Sequence, residues 1–462
     1  MNQRLSQLGI IGFSALLMMS VGLFAFQSLN KLSQSSILNA DEKAPTSLSY
    51  ETRLQKGDEW FQAGHYTEAA SEYAYAMQLE PEQAAPYLKL STTYTASNDP
   101  TKAEENAKKA YELEAVPQNL ATYAHALLNS GKINEAKALL ESSSTPDQSL
   151  AYVKGLLALA EGADGKVFFQ EALQLSGPVL PTKIQGFLSA YETYESAQGA
   201  SQTYLSALLS KALLDANEPR LAQNMALSTL KIKSDYRDLW MILGYAQLEL
   251  NQLAEAEDSF KAAKKIDSIK PEVHYLLGKT HYLQKEYDDC INEMELALLY
   301  NFEPAAEAYK KMAESHSALG QYNEALSAYE AMINVDPHSI TLFKEPIRIA
   351  TEEVKDLDRA QTLAQKGTNL FPSEALSHSL LASVHLKKEE LEAAETSIQM
   401  AFKQNAKDPE AHLIAGLIRE KQDNMEGAKW EYKKAFELSQ AGDPINVSAA
   451  ENYNRLMTPV SE

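Results

Sequence analysis

Small and apolar residues recur along this chain at helical offsets and at a nearly fixed interval. A small residue stands at Ala69, Ala103 and Ala136, then at Ala222, Ala256, Cys290, Ala325, Ala360, Ala394 and Ala428, with intervals of 34, 33, 86, 34, 34, 35, 35, 34 and 34 residues. Four positions beyond comes a second member of the stripe, among them Tyr73, Leu140, Phe260, Met294, Tyr329 and Tyr432, and three beyond that a small residue again in most copies, as at Ala76, Ala110, Ala263 and Ala435. Offsets of i, i+4 and i+7 share one face of a helix, so each interval predicts a helix pair with a packed small-residue stripe on its second helix. Gly64, Gly131 and Gly320 fall between paired helices, where a glycine takes the left-handed conformation that ends the first helix. Pro81, Pro337 and Pro372 close units as helix breakers.

The rhythm fails once, across the interval of 86. Residues 148–176 read as a degenerate copy, Gly177-Pro-Val-Leu-Pro181 interrupts, and residues 183–197 predict an extra helix. The expected organisation is therefore a helical array over 49–176, an irregular break at 177–200, a second array over 201–441 and a capping helix with a tail over 442–462.

The N-terminus departs from this pattern. Leu8 to Phe26 is almost continuously apolar, and nineteen residues at about 1.5 Å each span roughly 28 Å, enough to cross a hydrocarbon core. Phe24, Phe26 and Gln27 occupy the positions where a signal peptidase needs small residues. A seven-residue tail, an uncleaved transmembrane anchor at 8–28 and a polar linker at 29–48 are expected, with the N-terminus cytoplasmic and the array extracytoplasmic. A cleaved signal and a cytoplasm-facing array are the alternatives.

Within the clearest copy, Arg237 to Pro271, stand Trp240, Leu243, Gly244, Ala256, Phe260 and Ala263. This resembles the tetratricopeptide repeat (TPR) pattern W-x2-L-G … A-x3-F-x2-A. The resemblance covers residues 50–440 and implies an all-α fold: a right-handed superhelical solenoid of helix-turn-helix repeats, here preceded by one transmembrane helix. It also implies a concave wall built from first helices, on which Met241, Tyr245, Leu248, Tyr275, Lys279, Tyr282, Lys310 and Glu314 are the expected protein-binding residues. Relatives that grip acidic chaperone tails carry Lys and Asn pairs on the first helices of their first units. The matching positions here are Leu54 and Asp58, Leu88 and Thr92, and Ala121 and His125, so that clamp is excluded.

Composition narrows the remaining chemistry. The formal charge is −21, from 42 basic and 63 acidic residues, which opposes broad attraction to nucleic acid. The single cysteine, Cys290, allows no intrachain disulfide and falls in a small-residue slot, as expected of a helix contact. His274 with His281, and His378 with His385, are seven apart, about 10.5 Å along a helix and too far for one metal ion. The motifs of nucleotide binding and of serine or zinc hydrolysis do not occur. No enzyme activity, cofactor or metal is expected. The expected function is a membrane-anchored scaffold that binds a partner protein as an extended peptide or helix and supports an envelope or secretion complex. An adaptor facing the cytoplasm and an accessory subunit of a glycosyltransferase or other enzyme are the alternatives.

Overall fold

The computed structural model describes residues 48–440 and 443–457. The expected anchor at 8–28 lies outside them. Among the described residues all regular structure is helical, and no helix is long and apolar enough to cross a membrane.

The chain divides into two compact units, one ending at Ser268 and the other starting at Ile269. The first holds α1 (Tyr50–Gln62), α2 (Tyr66–Leu79), α3 (Ala84–Ala96), α4 (Pro100–Leu113), α5 (Pro117–Asn129), α6 (Ile133–Glu141), α7 (Gln148–Ala160), α8 (Lys166–Gln174), α9 (Pro181–Ser196), α10 (Gln202–Asp215), α11 (Pro219–Ile232), α12 (Arg237–Glu249) and α13 (Leu253–Ile266). The second holds α14 (Pro271–Gln284), α15 (Tyr287–Leu299), α16 (Ala305–Ala318), α17 (Tyr322–Val335), α18 (Lys344–Arg348), α19 (Leu357–Leu370), α20 (Ala375–Lys387), α21 (Leu391–Gln404), α22 (Pro409–Lys421), α23 (Met425–Leu438) and α24 (Pro444–Met457).

The periodic positions do the packing that their spacing predicts. All ten residues of the series from Ala69 to Ala428 are completely buried. The glycine of the first helix receives the large residue of the second: a Cβ added to Gly244 would lie 2.6 Å from the ring of Phe260, and Gly57 with Tyr73, Gly155 with Phe169 and Gly416 with Tyr432 repeat the arrangement. Such contact locks two helices at close range. Trp240 is half-buried and its indole N–H donates to Ser234 O at 2.7 Å, tying the helix to the loop before it. Tyr87 makes the equivalent bond to Pro81 O and His378 to Pro372 O.

Gly64, Gly131 and Gly320 have φ of 79°, 75° and 73°, the left-handed turn expected of them. The same turn is made by Asn98, Asn217, Asn251, Lys285, Glu389 and Asp423 in other pairs. Asparagine and aspartate tolerate this region through local hydrogen bonding, whereas lysine and glutamate are strained there.

Two departures from regularity matter. The predicted extra helix is α9, but the segment 177–200 does not separate two arrays. Ile184, Phe187, Leu188 and Tyr191 are buried in one continuous core with residues running from Leu120 to Ala246, all within the first unit. The second departure falls where the interval of 35 predicts an ordinary unit. There the chain forms a 3-10 turn (Ile340–Phe343), the short α18 and a π-helical turn (Ile349–Glu353). Pro346 inside this stretch has no N–H to donate and crowds the preceding turn, which breaks the regular ladder. At the C-terminus α24 packs on α23 through the fully buried Ala449, the predicted cap.

The first unit also closes on itself. The Asn98 side chain, at the turn after α3, accepts from Arg220 Nε and Nη2 at 3.1 and 2.8 Å and donates to Leu250 O at 3.2 Å. Turns far apart in the chain thereby meet beside α12.

Candidate binding groove

The structure corrects half of the expected site. Met241, Tyr245 and Leu248 are buried in α12, a helix in which Leu239 and every residue from Met241 to Leu248 is buried. A helix apolar all round belongs inside a fold rather than on a wall facing solvent. Tyr275 is buried as well, its ring stacked on Phe302 at 4.3 Å between centroids. Lys279, Tyr282, Lys310 and Glu314 are half-buried. Tyr282 carries Lys311 Nζ 4.2 Å from its ring centre, and Glu314 pairs with Lys311 at 2.6 Å. Burial, with the nearby Glu314 charge, raises the Tyr282 hydroxyl above its ordinary range.

The first helices of the first unit surround a more open space. Leu88 and Thr92 of α3, Ala121 and His125 of α5, and Ser149 and Tyr152 of α7 line a groove of about 460 Å³. Val179, Leu180 and Lys183 border it from the start of α9, and Asn217 and Glu218 from the turn before α11. The strap over Gly177–Leu180 is held by Gln148, whose Oε1 accepts from Val179 N at 2.9 Å and whose Nε2 donates to Leu175 O at 3.1 Å. Gly177 passes so close that a Cβ there would lie 2.5 Å from Oε1 of Gln148.

The polar heart of the groove is small and defined. His125 Nε2 lies 2.8 Å from Glu218 Oε2, and the Glu218 side chain is 5% exposed. Burial opposes the charged imidazole, but the Glu218 charge and hydrogen bond outweigh it and raise the His125 pKa above its ordinary 6.5, with Lys183 working against the shift. Lys183 Nζ donates to Ala216 O at 2.9 Å. Tyr152 is buried with its ring edge-on to Phe169 and Phe187, and its hydroxyl meets no hydrogen-bonding partner among the described residues. Burial first, then the Glu218 charge, pushes that hydroxyl well above its ordinary pKa.

Leu88, Thr92, Ala121 and His125 stand at the first-helix positions where the chaperone-tail clamp was excluded and were not among the expected binding residues, nor were Tyr152, Lys183 and Glu218. The signal that could have found them is irregularity: Tyr152 sits in the degenerate copy and Lys183 in the helix that fits no repeat. The other histidines are held by local partners, His274 by Glu293 at 2.7 Å, His281 by Glu286 at 2.7 Å and His385 by Glu390 at 2.6 Å. Cys290 is buried, and that burial pushes its thiol up to about 11.

Stacked antiparallel helix pairs with glycine-to-aromatic contacts define an all-α helical-repeat protein. Two family models described as tetratricopeptide repeat match, one over residues 208–271 and one over residues 306–339, so these segments carry tetratricopeptide repeats. Among solved structures, yeast Tom70 is similar at 16% identity over 88% of this chain and 95% of that one, with a TM-score of 0.33. A tetratricopeptide repeat protein from Parabacteroides merdae is similar at 17% identity over 56% and 100%, with a TM-score of 0.35. The C-terminal part of a TPR repeat-containing protein from Cytophaga hutchinsonii is similar at 15% identity over 53% and 98%, with a TM-score of 0.44. No curated protein matches the sequence.

Proposed function

We propose that the protein is a non-catalytic scaffold that binds a segment of a partner protein in the groove of its first unit. The observation that carries this reading is the groove itself, walled by the first helices α3, α5 and α7 and combining exposed apolar side chains with a few fixed polar groups. Lys279, Tyr282, Lys310 and Glu314 supply a second contact surface on the other unit. Residues 8–28 are read as a single-pass anchor with its N-terminus cytoplasmic, which would place the array outside the cytoplasm as part of an envelope or secretion complex. A photoreactive benzoylphenylalanine at Thr122 in the groove of the full-length protein should form partner adducts in cells, and one at Lys108 on the exposed face of α4 should not. Adducts of equal yield from both positions would refute the groove. A reporter fused after Glu462 tests the orientation, and cytoplasmic activity would overturn it.

A further inference from the structure

We propose that the first unit holds a second site, a cavity between α10, α11 and the end of α9 that takes a small aliphatic amine. It shares no lining residue with the groove, so its test is independent of the partner reading. The cavity lies where one helix pair lacks its large residues. The first-helix position that holds Trp240 in α12 holds His274 in α14 and His412 in α22. In each case the side chain is engaged: Trp240 by Ser234 O, His274 by Glu293 and His412 by Glu431. In α10 the same position, thirty-four residues before Trp240, is Ser206. Ala226 likewise stands where Phe260 plugs the next pair. Close-packed interiors leave few such spaces.

The space measures about 370 Å³, within the range of small-molecule sites. The buried Leu159, Leu209 and Leu213 lie behind it, and the part-exposed Ile133, Leu205 and Met225 form its wall. At the ~30 Å³ that a water occupies in the liquid, 370 Å³ holds about twelve non-hydrogen atoms, the size of a chain of about ten carbons with a polar end. Such a chain gains the dispersion contacts that Ser206 is too small to make.

The mouth selects the polar end. Asp164 and Glu195, both exposed, line it, and among the described residues no lysine, arginine or histidine does. Glu195 is offset by Lys166 Nζ at 2.6 Å. Asp164 accepts from Lys166 N at 2.8 Å and forms no ion pair among the described residues. An ammonium group therefore meets one carboxylate whose charge is not offset, whereas an anionic end would meet only like charge.

The test is calorimetric titration of the full-length protein with decylamine, decan-1-ol and sodium decanoate, which share the chain and differ in the charge of its end. Decylamine should bind with a submillimolar Kd, about threefold more tightly than decanol and about tenfold more tightly than decanoate, as an exposed ion pair predicts. Asp164→Asn, which keeps an acceptor for Lys166 N, should bring decylamine to the affinity of decanol. Ser206→Trp restores the bulk found in α12 and should cut the affinity for decylamine and decanol about tenfold or more; Met225→Trp, from the facing helix, should do the same. Equal binding of the three probes overturns the amine, and so does a preference for decylamine over decanol unchanged in Asp164→Asn. Wild-type affinity in both tryptophan variants, each folded by circular dichroism, overturns the cavity as the site. No binding at millimolar concentration overturns the whole proposal. The Asp164→Asn comparison holds whether or not a tryptophan variant folds.

Discussion

Replacing Tyr152 by phenylalanine should stabilise the unliganded protein. The ring keeps its contacts with Phe169 and Phe187, and the only heavy atom lost is a buried oxygen without a partner among the described residues. Leaving such a group buried costs about 1–3 kcal/mol, so its removal should return about 1–2 kcal/mol. For a cooperative unit of this size that is a rise in melting temperature of roughly 2–8 °C. The same core contains its own control. Tyr191 is also buried, but its hydroxyl accepts from Gly165 N at 2.9 Å. Tyr191→Phe orphans that N–H and should cost about 1–3 kcal/mol. Scanning calorimetry of the two variants should therefore show shifts of opposite sign. A Tyr152→Phe protein that melts below the wild type, as Tyr191→Phe should, would mean that the Tyr152 hydroxyl is bonded within the fold.

Gly244→Ala should destabilise by about 1–3 kcal/mol, because its Cβ would lie 2.6 Å from the fully buried Phe260, while Gly186→Ala in α9, with nothing within 4 Å, should gain about 0.5–1 kcal/mol in the same denaturation assay. Lys285→Gly relieves a lysine at φ 66° and should stabilise the second unit by about 0.5–1 kcal/mol, read from the slowing of amide exchange there. The His125 pKa is raised, so the stabilisation it gains from Glu218 is fully present below the ordinary 6.5 and is lost as pH rises through the raised value. His125→Gln should flatten this profile, read from denaturation midpoints across pH.

Much of the fold was readable because repeat packing is local. Ala256 must be small and Phe260 must fill a glycine's place wherever the two helices of a pair meet, so spacing alone located them. Irregular local structure was harder: Pro346 marks the point where the helix ladder fails, yet the small-residue interval runs across it undisturbed. The binding wall was least legible. Met241 and Tyr245 occupy wall positions by register, but whether a wall position faces solvent depends on closure between distant turns, which no 34-residue pattern encodes. Lys183 and Tyr152 could be found only by asking what the off-pattern segment is for.

The Asn98 seam has a consequence for how the first unit assembles. A stack of helix pairs can grow from any repeat by adding neighbours, since every contact is short in sequence. The bonds from Asn98 to Arg220 and to Leu250 instead join residues 122 and 152 apart. Joining such distant turns costs loop entropy that only the intervening, already ordered helices can reduce. The seam therefore forms after the repeats it bridges, and it converts a chain of neighbour contacts into a ring that melts as one.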